Sequence, residues 1–257
     1  VSDTLIVAER VAKAFATGNG SLGALAEASF SVRRGEFVCL LGPSGCGKST
    51  LLHILGGLLE ASSGSVRFDG EPLRSPQQRI AYVFQKANLM PWRTTLANVA
   101  LALQVRRAPR REAEQRAREA LCLVGLQGFE DSYPRSLSGG MEQRVALARA
   151  LVQGAEVLLL DEPFGSLDAL TREQLNEELL RIWQSQGKTV VMVTHSISEA
   201  IFLADRILVL TSRPGRLALE VEVGLPRPRA LDALPGAEYA RLAQRLREAI
   251  RQTSGTA

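Results

Sequence analysis

The stretch FVCLLGPSGCGKSTLL, residues 37–52, limits the fold of this chain more than any other segment. An apolar run leads into Gly42, Pro43, Ser44, Gly45, Cys46, Gly47, Lys48, Ser49 and Thr50 in phosphate-loop spacing, and a helical pattern follows at once. Such a loop needs glycines because successive backbone N–H groups must turn inward around phosphates, where side chains would block the approach. A helix starting near Lys48 adds the positive end of its dipole. Lys48 is then expected to reach the β- and γ-phosphates of a nucleotide, and the Ser49 hydroxyl to take a Mg²⁺ coordination position. A glycine-rich turn of no function would not carry strand, loop, lysine, hydroxyl and helix in that order.

A buried strand before such a loop implies others beside it. VLLLDE (157–162), TVVMVTH (189–195) and RILVLT (206–211) are apolar without alternation, as strands covered on both faces are, and they predict a parallel α/β sheet. LIVAERVAKAF, ALAEASFSVRRG and GSVRFDG alternate instead and predict half-exposed antiparallel strands. Residues 168–185 place Leu175, Leu179, Ile182 and Trp183 at helical spacing. From Asn88 to about Gly154 the pattern is helical throughout, so a helical subdomain is expected to be inserted in the core. Pro226 and Pro228 punctuate the end of that core, and a final helix follows with Tyr239, Leu242, Leu246 and Ile250 on one stripe. That stripe suits packing on its own domain or on lipid.

Composition removes several classes of function. Of 257 residues 46% are hydrophobic and only 5% aromatic, which fits a globular chain, and no apolar run approaches the roughly 20 residues of a membrane-spanning helix. VSDTLIVAERVAK lacks the charged-then-apolar order of a secretion signal, which predicts a cytosolic chain. Cys39, Cys46 and Cys122 show no CxxC spacing, and two histidines are too few for a metal cage. The net charge of +4 is small and scattered, so no nucleic-acid partner is expected. Even the arginines of QVRRAPRREAEQRAR (104–118) alternate with acids and read as a solvated helix face, with a specific anionic partner as the alternative.

A second half of a phosphate site is expected at the end of a buried strand, where VLLLDEP closes on two adjacent carboxylates. Asp161 suits Mg²⁺, through water, and Glu162 suits polarising an attacking water as general base; a cap or surface pair ahead of Pro163 is the other reading. His195 ends its own strand and alone would be structural, but beside Glu162 it becomes a candidate γ-phosphate sensor. Gln85, after IAYVF, is by itself only a polar strand end.

SLSGGMEQRVALARAL (136–151) then offers a second glycine loop at a helix start, where Ser138 can cap the helix. With these motifs in order, the chain resembles the ATP-binding subunit of ABC transporters over nearly its whole length, 1–225 as the ABC ATPase domain with the helical insert at about 88–154, and 226–257 as a C-terminal tail and helix. The resemblance implies a P-loop NTPase core with an antiparallel β subdomain and an inserted α-helical subdomain. It also implies ATP and Mg²⁺ as cofactors, with Gln85 as a metal and catalytic residue and SLD (166–168) as a further conserved-type loop of that family. In that family Ser138, Gly139 and Gly140 would serve a nucleotide held by a second copy, across a two-fold interface. Phe15 falls near the family's adenine-stacking position, though in an alternating strand it also reads as core. Met141 replaces the usual glutamine, and Ser196 the usual aspartate.

KANLMPWRTTLANVALAL, DEPFGSLDALTREQL and ADRILVLTSRPGRL resemble, more finely, the nitrate/taurine/alkanesulfonate importer group. That likeness implies two copies at the cytoplasmic face of a bacterial inner membrane, beneath permease subunits supplied by a solute-binding protein, with a small anion such as sulfonate, taurine or nitrate as cargo. Met90, Pro91 and Trp92 are the candidate permease contacts, or else internal packing. The alternative class, ABC-type ATPases of DNA repair, chromosome organisation or translation, carries long coiled coils or paired cassettes, whereas this chain has no sustained heptads and one phosphate loop. A P-loop small-molecule kinase would not carry the family's signature, LSGGM (137–141), together with the SLD segment.

Overall fold

The computed structural model describes residues 3–18, 20–227, 229 and 236–254. Pro228, expected to help close the core, lies outside them, as do 1–2, 230–235 and 255–257. Two compact units form, residues 1–77 with 187–257, and residues 78–186.

In the first unit the alternating stretches become an antiparallel sheet. Strands β1 (Thr4–Thr17) and β2 (Gly20–Arg33) pair along their length, followed by β4 (Ser63–Phe68) and β5 (Glu71–Pro72), after β3 (Phe37–Leu41) and α1 (Lys48–Leu55) have gone to the other layer. Two neighbouring polar residues, Glu9 and Arg10, interrupt the alternation of β1. The strand absorbs them as an irregularity in which Arg10 takes φ 47 and donates its N–H to Ser29 Oγ at 2.8 Å. Gly64 is required opposite, since a Cβ there would stand 2.2 Å from the Arg10 carbonyl oxygen.

Strand β3 lies between β8 (Thr189–Thr194) and β9 (Arg206–Leu210), parallel to both, and all three are buried at every position, as their unbroken apolar runs require. The antiparallel β10 (Leu217–Glu222) extends β9. Buried Arg206 ties this layer to the other sheet by donating to Glu36 and to the Ser31 carbonyl. Helices α6 (Ile197–Leu203) and α7 (Ala237–Ser254) pack together, and α7 also meets β9 and β10. The buried line of α7 runs through Ala243 and Leu246, with Tyr239, Leu242 and Ile250 half-exposed beside it. Small Ala243 lets the helix approach its own domain, one of the two packings the stripe allowed.

The second unit pairs β6 (Ile80–Val83) in parallel with β7 (Val157–Asp161) and carries α2 (Thr95–Val105), α3 (Arg110–Leu123), α4 (Gly139–Leu151) and α5 (Ala169–Gln186). In α3 the residues Ala113, Ala117, Ala120 and Leu121 are buried while Arg110–Glu114 and Arg116–Glu112 pair on the solvent side. The arginine-rich stretch is therefore a solvated helix face. Among the described residues no helix is long and apolar enough to cross a membrane.

Candidate functional site

The expected site residues divide between the two units. In the first, β3 ends at Leu41 and the loop 42–47 turns into α1 with no side-chain cap at all. A Cβ on Gly42 would lie 2.8 Å from the Leu210 carbonyl oxygen, so the loop crosses the neighbouring strand end at a distance only glycine allows. Gly45 and Gly47 take φ +74 and +98, a left-handed backbone open to glycine, and a Cβ on Gly47 would stand 2.6 Å from the Ala24 carbonyl oxygen. Lys48 is buried, and its ammonium donates to the carbonyls of Gly42 and Pro43, each at 2.8 Å. A fixed positive charge thus sits inside a loop whose backbone is bent around it. Ser44, Gly45 and Ser49 are exposed, whereas Cys46 is buried, and burial pushes its thiol above the usual range against the opposing charge of Lys48.

His195 belongs to the same end of the same sheet. Leu41 of β3 is the register partner of Thr194 of β8, so Gly42 and His195 are the next residues out on adjacent parallel strands, and His195 is exposed there. Phe15 is 39% exposed and hence not core; the Lys13 ammonium stands 5.4 Å from its ring centroid, over one face, and also donates to the Glu60 carbonyl at 2.7 Å.

In the second unit Asp161 is the last residue of β7 and is buried, with the Tyr82 hydroxyl of β6 donating to it at 3.4 Å. Burial, with that carboxylate beside it, pushes the Tyr82 hydroxyl far above the ordinary phenol range, so it stays a donor. Glu162 turns away at φ 43, and Gln85 Nε2 donates to its Oε2 at 3.5 Å. Two adjacent acids are thereby aimed differently. Hard oxygen donors of this kind, Asp161 here and the exposed Ser49 hydroxyl in the other unit, suit Mg²⁺. Ser138 caps α4, accepting the Met141 N–H at 3.3 Å, and Ser138 and Gly139 are exposed, whereas Gly140 is buried and a Cβ there would stand 2.8 Å from Thr171 Cγ2. Met90 is half-buried, and Pro91 and Trp92 are exposed, Trp92 at 71%.

Several supporting residues carry little signal in the sequence. Gln143 of α4 donates to the Gln85 carbonyl at 2.7 Å, and Arg149 donates to the carbonyls of Ala87 and Asn88 at 2.6 and 3.0 Å, so the signature helix holds the segment after Gln85. In the first unit Gly215 admits the Cys46 carbonyl, which would lie 2.0 Å from a Cβ, and Arg213 Nε donates to the Gly45 carbonyl at 3.2 Å. SRPGR (212–216) carries part of the family resemblance in sequence, but nothing there assigns Arg213 or Gly215 to the phosphate loop.

A strand, a glycine loop closing on a buried lysine, and a helix define a phosphate-loop nucleotide-binding fold. A family model described as "ABC transporter" matches residues 25–165. The nitrate import ATP-binding protein NrtD of Synechococcus elongatus is 46% identical over 93% of this chain and 88% of its own length. The aliphatic sulfonates import ATP-binding protein SsuB of Bacillus cereus is 44% identical over 86% of each. A dimeric, post-hydrolysis structure of an ATP-binding cassette bound to ADP and Pi superimposes with a TM-score of 0.77, at 34% identity over 85% of this chain and 99% of that one. The chain belongs to the ABC transporter family, as an ATP-binding, ATP-hydrolysing cassette.

Proposed function

We propose that this cassette drives a bacterial importer for a small anion of the nitrate, sulfonate or taurine type, working as a pair of copies on the cytoplasmic face beneath permease subunits. The observation that carries the reading is the exposed, Ser138-capped start of α4, a helix N-terminus able to meet an anion, in addition to the one that follows Gly47. Similarity to nitrate and sulfonate import subunits favours transport over repair, chromosome or translation roles.

In this reading Gly42–Thr50 wraps the phosphates, Lys48 fixes the β- and γ-phosphates, and Phe15 stacks on adenine. Ser49, Asp161 and Gln85 would hold Mg²⁺, which neutralises phosphate charge when bound. Glu162 accepts a proton from the attacking water as it adds to the γ-phosphorus, His195 hydrogen-bonds the γ-phosphate, and ADP leaves with phosphate. Ser138, Gly139 and Gly140 of a second copy complete each site. ATP therefore closes the pair and phosphate release reopens it, with Met90, Pro91 and Trp92 passing the motion to the permease.

Replacing Glu162 with Gln tests the core of this scheme. Phosphate release should fall by about 10²-fold or more while binding of a fluorescent ATP analogue survives. Hydrolysis at near-normal rate would remove the general-base role.

A further inference from the structure

Residues 194–199, THSISE, hold His195 in a closed ring of hydrogen bonds. Ser196-x-x-Glu199 spells a capping box, in which the glutamate ordinarily reaches back to the N–H of the capping serine. Here one half takes that form, the Glu199 N–H donating to Ser196 Oγ at 3.3 Å. The other half is relayed. The Ser196 N–H donates to Thr194 Oγ1 at 3.0 Å, and the Thr194 hydroxyl donates in turn to Glu199 Oε2. The ring thus runs from residue 196 to 194 to 199 and back, spanning His195 on both sides.

Burial separates the parts of this ring by role. Thr194 is 2% exposed and Glu199 7%, while His195 is exposed. A helix of seven residues needs only its serine cap at this end, and a buried carboxylate must be hydrogen-bonded to offset its desolvation, which Thr194 does for Glu199. What the relay adds is control of the turn between β8 and α6. Thr194 is locked to Leu41 by sheet register and to Glu199 by its hydroxyl, so the residue between Thr194 and Ser196 leaves the sheet in one direction. The other end of α6 is also held, by Arg229, whose buried guanidinium donates to the carbonyls of Ile201, Phe202 and Ala204.

We infer that Glu199, acting through the Thr194 hydroxyl, is a positioning residue that aims His195 at the γ-phosphate. The inference rests on the reading of His195 as the phosphate sensor. It predicts a loss in turnover rather than in nucleotide binding, because Glu199 is buried and acts through Thr194.

The test compares E199A, E199Q, T194V and H195A in the full chain, with and without H195A in the background. E199A and T194V should lower kcat at least tenfold while the dissociation constant for ATP stays within about twofold. E199Q, whose amide oxygen still accepts from Thr194, should recover half or more of the wild-type kcat at an unchanged melting temperature. Adding E199A to H195A should change kcat by less than about twofold, because both act through one side chain. Wild-type kcat in E199A or T194V beside a disabled H195A overturns the relay alone. A full additional loss in the double variant overturns it as well. Normal hydrolysis by H195A overturns the sensor reading and takes this inference with it. Should E199A fail to fold, T194V, which keeps the side-chain shape, decides the matter by the same criteria.

Discussion

Glu162 sits at φ 43, a left-handed backbone that costs a non-glycine residue about 1–3 kcal/mol, and it does so immediately before Pro163, which restricts it further. Strain is thus concentrated on the acid proposed to act as base, while its neighbour Asp161 keeps ordinary strand geometry. The cysteines sort equally sharply by surroundings. Cys39 and Cys46 are buried and Cys122 exposed, and burial raises both buried thiols above the usual range, Glu199 and Asp205 adding to the effect at Cys39. Since the thiolate is the reactive form, raising the pKa depletes it at neutral pH. A disulfide reagent at pH 7.5 should therefore modify one thiol quickly, C122S should abolish that phase, and the other two should respond only on unfolding; a second fast thiol would contradict the burial. The phosphate-loop residues were legible in sequence because their chemistry is local, a backbone turn with a fixed spacing. Arg213 was not, because it reaches Gly45 across 168 residues of chain and a turn-forming arginine has no local signature.

At the scale of elements, α2 is organised around one buried side chain. Asn98 accepts the Met90 N–H at 2.7 Å and donates to the carbonyls of Met90, Arg93 and Thr94 at 3.2, 3.1 and 3.0 Å. One asparagine thereby shapes the whole segment that presents Trp92. N98A removes these bonds and leaves their backbone partners short of water, which should cost about 2–4 kcal/mol. It should also speed exchange of the Met90 amide by about tenfold or more, and unchanged exchange there would show that the segment holds itself. Strands and helices read well from periodicity, since burial on one face or two leaves a visible pattern in β3, β8, β9 and α5. The irregularity at Glu9–Arg10 and the edge strand β10 were harder. The first depends on Gly64 of another strand, and the second, LALEVE, alternates weakly after a turn and gains its identity only from pairing with β9.

At the scale of the whole molecule, two helices, α1 and α4, start at glycine-containing segments. Gly47 leads into α1 without a side-chain cap, while α4 offers an exposed start that Ser138 caps. If each α4 start completes the site of another copy, the arrangement is isologous, and two identical surfaces bury two nucleotides at once. Association must then depend on the γ-phosphate, because ADP ends one phosphate short of the opposing helix end. The expected behaviour is specific. E162Q, which keeps ATP intact, should double its mass from 27.8 kDa in light scattering when ATP is added and remain single with ADP. S138R in that background should still bind ATP through its own phosphate loop yet stay single, since a cation now faces the other copy's site and the side chain fills the approach. ATP-driven doubling that survives S138R would mean that some other surface joins the copies and that the second glycine loop serves a different end.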